Sequence, residues 1–186
     1  EISESSLGGS IITVEAYVKP ESLTPSDLAN NYQTIARQNQ QWVFGLDEQG
    51  VLYLRTFDSA GLRHTHGNTP LDLGVYNHVA FSYNGGNGVV KFYKNGVLDA
   101  EKQINLGAID AVGVYLNSIG ASSQSNTPSA FSGIIDELRV SNTERIPNPC
   151  RLKTPKKHGL EEVIESEDVL TNNSNITWGK LKIKYR

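Results

Sequence analysis

The stretch "HVAFSYNGGNGVVKFYKNGVLDAEKQI", residues 78–104, decides the fold. Val79, Phe81 and Tyr83 share one side of an alternating run, and Val90 and Phe92 share one side of the next. Alternation of this kind is the period of a strand with one face buried. Between the runs, "NGGNG" (84–88) supplies the positive-φ positions of a tight reversal, and Asn95-Gly96 is the strongest two-residue hairpin signal. The stretch predicts a three-strand meander.

The same period extends outward. In "IITVEAYVK" (11–19), Ile12, Val14, Ala16 and Val18 lie on one side. "QWVFGL" and "VLYLRTF" flank the turn "DEQG" (47–50), and Trp42 is in phase with Phe44 and Leu46, so it is expected to point inward. Further strands are expected at 33–38, 112–119 and 132–141, while "TPSDLANNY" (24–32) holds at most one helical turn. About nine short strands with turn signals every ~8–12 residues make an all-β, two-sheet antiparallel sandwich of jelly-roll type.

A chain of 186 residues accommodates one sizeable domain. Its net charge of −3 argues against nucleic acid as a partner. No apolar run approaches the ~18–20 residues of a membrane span, so no membrane insertion is expected. The lone Cys150 excludes an internal disulfide and CxxC-type zinc motifs.

If successive strands run antiparallel, loops alternate between the two ends of the sandwich. Loops 39–40, 58–76, 95–96 and 120–131 then share one rim; 20–32, 47–50, 84–88 and 105–111 share the other. Function concentrates on loops aimed by a rigid scaffold. The first rim carries the candidate ligand-binding residues Phe57, Asp58, Arg63, His64, His66 and Asn68, together with "SSQSNTPS" (122–129). Tyr32 and Phe57, at strand ends, are the aromatics expected to be exposed.

"ITVEAYVKPESL", "YQTIARQ", "WVFGLDEQGVLYLRT", "LDLGVYNHVAFSYNGGNGVVKFYKNGVLD" and "FSGIIDELRVSN" resemble, in that order, the laminin-G-like, concanavalin A-like jelly-roll family over roughly residues 11–142. The resemblance implies a domain of extracellular or viral proteins used mostly for binding glycans, other proteins and sometimes calcium. Some relatives are glycoside hydrolases. It implies a structural calcium position at Asp136 within "GIIDELRV" and a packing role for His78; Asp58 is, on its own residue type, a second possible metal ligand. Family members usually open with one further strand, where this chain has only "EISESSLGGS".

Hydrolysis by a retaining mechanism needs two carboxylates ~5–5.5 Å apart. Asp136 and Glu137 are adjacent and so point to opposite faces; Glu15 and Asp47 have no same-strand partner. The chain lacks a Gly-x-Ser-x-Gly elbow, a Gly-rich phosphate loop and HExxH. An enzyme is not expected.

Composition divides the chain into a jelly roll (1–145), a linker with a basic then an acidic block (146–175) and a terminal strand (176–186). "KLKIKYR" (180–186) alternates charge with bulk and is suited to fill a vacant sheet edge, in its own domain or a neighbour's. "NNS" (172–174) and "NIT" (175–177) are glycosylation sequons. The leading expectation is a non-catalytic recognition or structural module of a larger extracellular, cell-surface or virion-surface protein, binding glycan or protein through the loop rim. The alternatives are an architectural jelly roll that self-assembles through its C-terminal tail, and a fragment of a carbohydrate-active enzyme.

Overall fold

The computed structural model describes residues 10–23, 32–38, 41–58, 61–104, 107, 109, 117–121, 129–147 and 183–184. The single-turn segment at 24–31, Cys150, the linker blocks and both sequons lie outside them. The strands are β1 (Ile11–Pro20), β2 (Tyr32–Gln38), β3 (Trp42–Asp47), β4 (Val51–Asp58), β5 (Gly61–Pro70), β6 (Asn77–Asn84), β7 (Val89–Lys94), β8 (Val97–Gln103), β9 (Asn117–Ile119), β10 (Gly133–Ser141) and β11 (Ile183–Lys184). One sheet has the order β11-β10-β1-β6-β7-β8 and the other β5-β4-β3-β2-β9. All pairings are antiparallel, and no helix occurs among the described residues.

The meander forms as its alternation requires. Val79, Phe81, Tyr83, Val90 and Phe92 are buried together with Ile12, Val14, Ala16 and Val18 of β1. Trp42, Phe44, Leu46, Leu52 and Leu54 meet them from the other sheet. Phe81 sits at the centre, edge-on to Phe44 at 5.1 Å and to Trp42 at 5.9 Å between ring centroids. Each such side chain contributes about 1.5–3 kcal/mol on burial. The 95–96 turn has φ of 53° at Asn95 and 80° at Gly96, as a two-residue hairpin demands. Asn95 also locks it: its side-chain oxygen accepts the His78 N–H at 2.9 Å while its own N–H donates to the His78 carbonyl at 2.7 Å.

The long rim loop expected at 58–76 is not one. Residues 61–70 form β5, an edge strand paired along β4. "GLRHTHGNTP" lacks apolar alternation because an edge strand buries little: among its described side chains only Thr65 is buried. This extra strand reverses the parity of every later loop. The turn at 95–96 and residues 120–121 and 129–131 move to the end that holds 21–23, 47–50 and 71–76, while 84–88 moves to the end where β2 and β4 finish. Backbone bonds from Gly74 to Pro20 and from Glu21 to Ser132, both 2.8 Å, fasten that first end.

β5 is stapled to the opposite sheet. Asp99 of β8 accepts the Asn68 N–H at 2.7 Å and the Thr69 hydroxyl at 2.5 Å, and the Asn68 amide donates to the Asp99 carbonyl at 2.6 Å. β10 carries a bulge opposite Glu15–Tyr17, with Glu137 at φ 50°. At its free side Ile134 and Ile135 pair with Lys184 and Ile183 of β11, so the two described residues of the terminal segment extend this sheet.

Candidate functional site

The outer faces of the two sheets differ in kind. On the six-stranded sheet, Glu15 (3% exposed) receives a hydrogen bond from Arg139 Nη1 at 3.0 Å. His78 Nε2 lies 3.3 Å from the other carboxylate oxygen, a contact too oblique to count as a good hydrogen bond. Tyr17 stands edge-on to the His78 ring at 5.2 Å. Burial alone raises the Glu15 carboxyl, but the His78 contact and the charges of Arg139, His78 and Arg145 outweigh it, and the net shift is downward. The chain after β10 then closes over this face: the Thr13 hydroxyl donates to the Thr143 carbonyl at 2.7 Å, and Lys91 pairs with Glu144 at 2.8 Å. His78 is thus a packing residue, as the family resemblance implied, and these charges satisfy one another.

The five-stranded sheet presents a different surface. Strand parity that sends Trp42, Phe44, Leu52 and Leu54 inward sends Val43, Gly45, Asp47, Tyr53, Arg55 and Phe57 outward. Register aligns them in rows. Arg37, Val43, Arg55 and His64 stand side by side on β2, β3, β4 and β5. The next row holds Thr34, Gly45, Tyr53 and His66, and one step further Tyr32 faces Asp47. Tyr32 and Tyr53 stack at 5.3 Å, with Gly45 in the ladder offering no side chain to part them. The Arg55 guanidinium lies over Tyr32 at 5.1 Å and over Phe57 at 5.0 Å. His64 and His66 flank the Tyr53 ring at 5.6 and 5.1 Å.

Electrostatics sharpen the picture. Burial pushes the Tyr53 phenol up to about 12, so it stays protonated. Burial, then Arg55 and His66, push His64 down, and its Nδ1 shares a 2.7 Å hydrogen bond with the Tyr53 hydroxyl. Asp47 pairs with His66 at 3.0 Å while its other oxygen accepts the Gln49 and Val51 N–H groups. Arg37 is lowered chiefly by burial, with a smaller downward push from the charge of Arg55.

Of the residues singled out from sequence, Phe57, His64 and His66 come together here, on strand faces rather than on a loop. Arg63 pairs with Thr56, a buried residue of the inward side, and so leaves the platform. Asn68 serves the β5–β8 staple. Asp58 ends β4 opposite Gly61, and its side chain lies outside the described ones. Tyr32 is buried against Tyr53 instead of exposed. The residues missed were Arg37, Val43 and Arg55. Part of the signal was present, since Tyr53, Arg55 and Phe57 alternate out of phase with Leu52 and Leu54.

Asp136 belongs to the other sheet, buried opposite Tyr17, and one of its oxygens accepts the Glu137 N–H at 3.0 Å. Calcium takes six to eight oxygens, usually with several carboxylates. Among the described residues no three His, Cys, Asp or Glu side chains converge on one point. Among the described side chains of the aromatic platform, Asp47 is the single carboxylate.

The family described as the concanavalin A-like lectin/glucanases superfamily matches residues 1–148. The chain belongs to that superfamily. Solved structures of the same sandwich include a candidate carbohydrate-binding protein from Bacteroides ovatus (21% identity, TM-score 0.60), covering 77% of this chain but only 40% of that one. The CBM40 of a Ruminococcus gnavus IT-sialidase bound to α2,3 sialyllactose is similar at 17% identity and TM-score 0.59, covering 74% and 78%. Domain 4 of AbnA, an extracellular arabinanase from Geobacillus stearothermophilus, in complex with arabinotriose, is similar at 26% identity and TM-score 0.51, covering 71% and 60%. No curated protein matches the chain. No described helix is long and apolar enough to cross a membrane.

Proposed function

We propose that this concanavalin A-like domain is a non-catalytic glycan-recognition module of a larger extracellular protein, and that it binds through the outer face of its five-stranded sheet. The observation that carries the reading is the Tyr32–Tyr53 stack with Arg55 bridging to Phe57. A sugar ring presents an apolar C–H face and a rim of hydroxyls. Phe57, half-buried at the edge of the cluster, offers an apolar surface with Arg55 against it, and His64, His66 and Asp47 extend donors and acceptors along the rows beside Tyr53. A single carboxylate already engaged by His66 supports binding over glycoside hydrolysis, which calls for two. The carbohydrate-binding neighbours lend support to the same reading, and the extracellular arabinanase to the compartment. A glycan array on the intact chain tests it. Retention of at least one oligosaccharide class, lost in Phe57→Ala but kept in a variant altered on the far sheet such as Lys91→Ala, is the expected result. No binding to any glycan would overturn it.

A second reading draws on the pairing of Ile183 and Lys184 with the β10 edge. The same pairing between chains would make the domain an architectural unit of an assembly, a cell-surface or virion structure included. Light scattering across a concentration series, on the full chain and on one ending at residue 147, separates the two: a mass independent of concentration and of the tail sinks the assembly reading.

A further inference from the structure

We infer that the glycan taken by this face is anionic, its carboxylate or sulfate received by the Arg55 guanidinium. The inference rests on the glycan-binding reading and specifies the chemistry of that site. It starts from the row Arg37–Val43–Arg55–His64. Arg37 and Arg55 flank the same residue of β3 on adjacent strands, so their backbones stand roughly 9.5 Å apart. The two charges share one row of the face, and Arg37, lowered chiefly by burial, is lowered further by the charge of Arg55.

Like charges placed side by side in a partly desolvated row favour the arrival of a negative group. Among the described residues no carboxylate pairs with Arg55, and the nearest acid on the face, Asp47, is engaged by His66 and by its own turn. Arg55 Nε is buried with no hydrogen-bond partner, an unspent donor at the base of a planar fork. Arg55 as a whole is half-buried. Such a fork matches the two oxygens of a carboxylate or sulfate. Its cation–π contacts place it over Tyr32 and Phe57, so an acidic group on Arg55 brings the attached ring beside Phe57. Arg37, buried at the floor of the same face, adds positive potential beneath the anion. A neutral sugar would use the Phe57 surface and leave the Arg55 Nε–H without an anionic oxygen.

Calorimetric titration of the intact chain with three oligosaccharide sets decides the matter: neutral (arabinotriose, lactose), carboxylated (sialyllactose, a uronic-acid trimer) and sulfated (a heparin-derived tetrasaccharide). The expected result is binding of the carboxylated or the sulfated set in preference to the neutral one, weakened as salt rises. Which acidic set binds identifies the anion. Arg55→Gln should weaken that binding about tenfold or more, since it removes a charge-assisted contact. Arg55→Lys, which keeps the charge and loses the fork, should retain the salt dependence at lower affinity. Melting curves confirm that both variants fold. Neutral sugars bound as well as acidic ones, with Arg55→Gln without effect, would overturn the anion and leave the glycan platform standing. Silence from all three sets would overturn the platform reading itself, and the anion with it.

Discussion

Replacing Glu15 by glutamine removes one charge from the outer face of the six-stranded sheet and changes almost no volume. Arg139 Nη1 donates to the carboxylate at 3.0 Å, and such charge-assisted bonds contribute about 1.5–3 kcal/mol. Severing a fully buried pair costs about 3–5 kcal/mol. Here the Arg139 side chain is 22% exposed, so water recovers part of the loss. His78 has no such relief, being 1% exposed with both ring nitrogens poorly bonded. The expected loss at pH 7 is therefore about 2–3 kcal/mol, or roughly 4–12 °C in Tm for a domain of this size.

The pH dependence comes from the downward shift of Glu15, whose unfolded value is near 4.5. Below that value the unfolded chain binds a proton more readily than the folded one. The stabilisation is therefore complete above about 4.5 and fades as pH falls through the lowered folded value. The groups facing the carboxylate are His78 on β6, Arg139 on β10 and Arg145 beyond it. Urea denaturation of wild type and Glu15→Gln at several pH values measures the effect. The gap should be widest near neutrality and close in acid. A gap that stays constant down to about pH 3, well below the unfolded carboxyl value, would refute the charge-based account and leave packing or hydrogen-bond geometry as the cause.

Four further outcomes are expected. Phe81→Ala should cost about 3–5 kcal/mol, because the ring is fully buried against Trp42 and Phe44; a near-silent change by thermal melting would contradict the central packing. Gly45→Ala should destabilise strongly, since its new Cβ would lie 2.0 Å from the Gln33 backbone oxygen; unchanged amide exchange along β2 and β3 would show that the strands yield at no cost. His64→Ala should cost about 0.5–1.5 kcal/mol by removing the 2.7 Å partner of the buried Tyr53 hydroxyl, which keeps its bond to Arg55; a change well within ~0.5 kcal/mol in denaturant titration would mean that water replaces the imidazole. A calcium chelator should leave the melting temperature unaltered, and a fall abolished by Asp136→Asn would establish a metal site there.

The core and the sandwich could be read before any coordinates. Val79, Phe81, Tyr83, Val90 and Phe92 announce their buried face through a two-residue period, and Asn95-Gly96 announces its turn through backbone sterics. Both signals are local: each is complete within a few residues of one strand or one hairpin. β5 carried no such signal, because an edge strand has one neighbour and little to bury; its Leu62, Arg63, His64, His66 and Asn68 are all exposed. Missing that one strand reversed the assignment of loops to ends and moved the expected site to a rim. The platform itself was legible only as the outward phase of Tyr53, Arg55 and Phe57. That Arg37, Arg55 and His64 share a row, and that Tyr32 stacks on Tyr53, depends on register between strands separated in the chain and on the bulge between Thr34 and Ala36. A one-residue slip would send each of these side chains to the opposite face. Alternation along a strand states which residues face together; only the assembled sheet decides which strands bring them side by side.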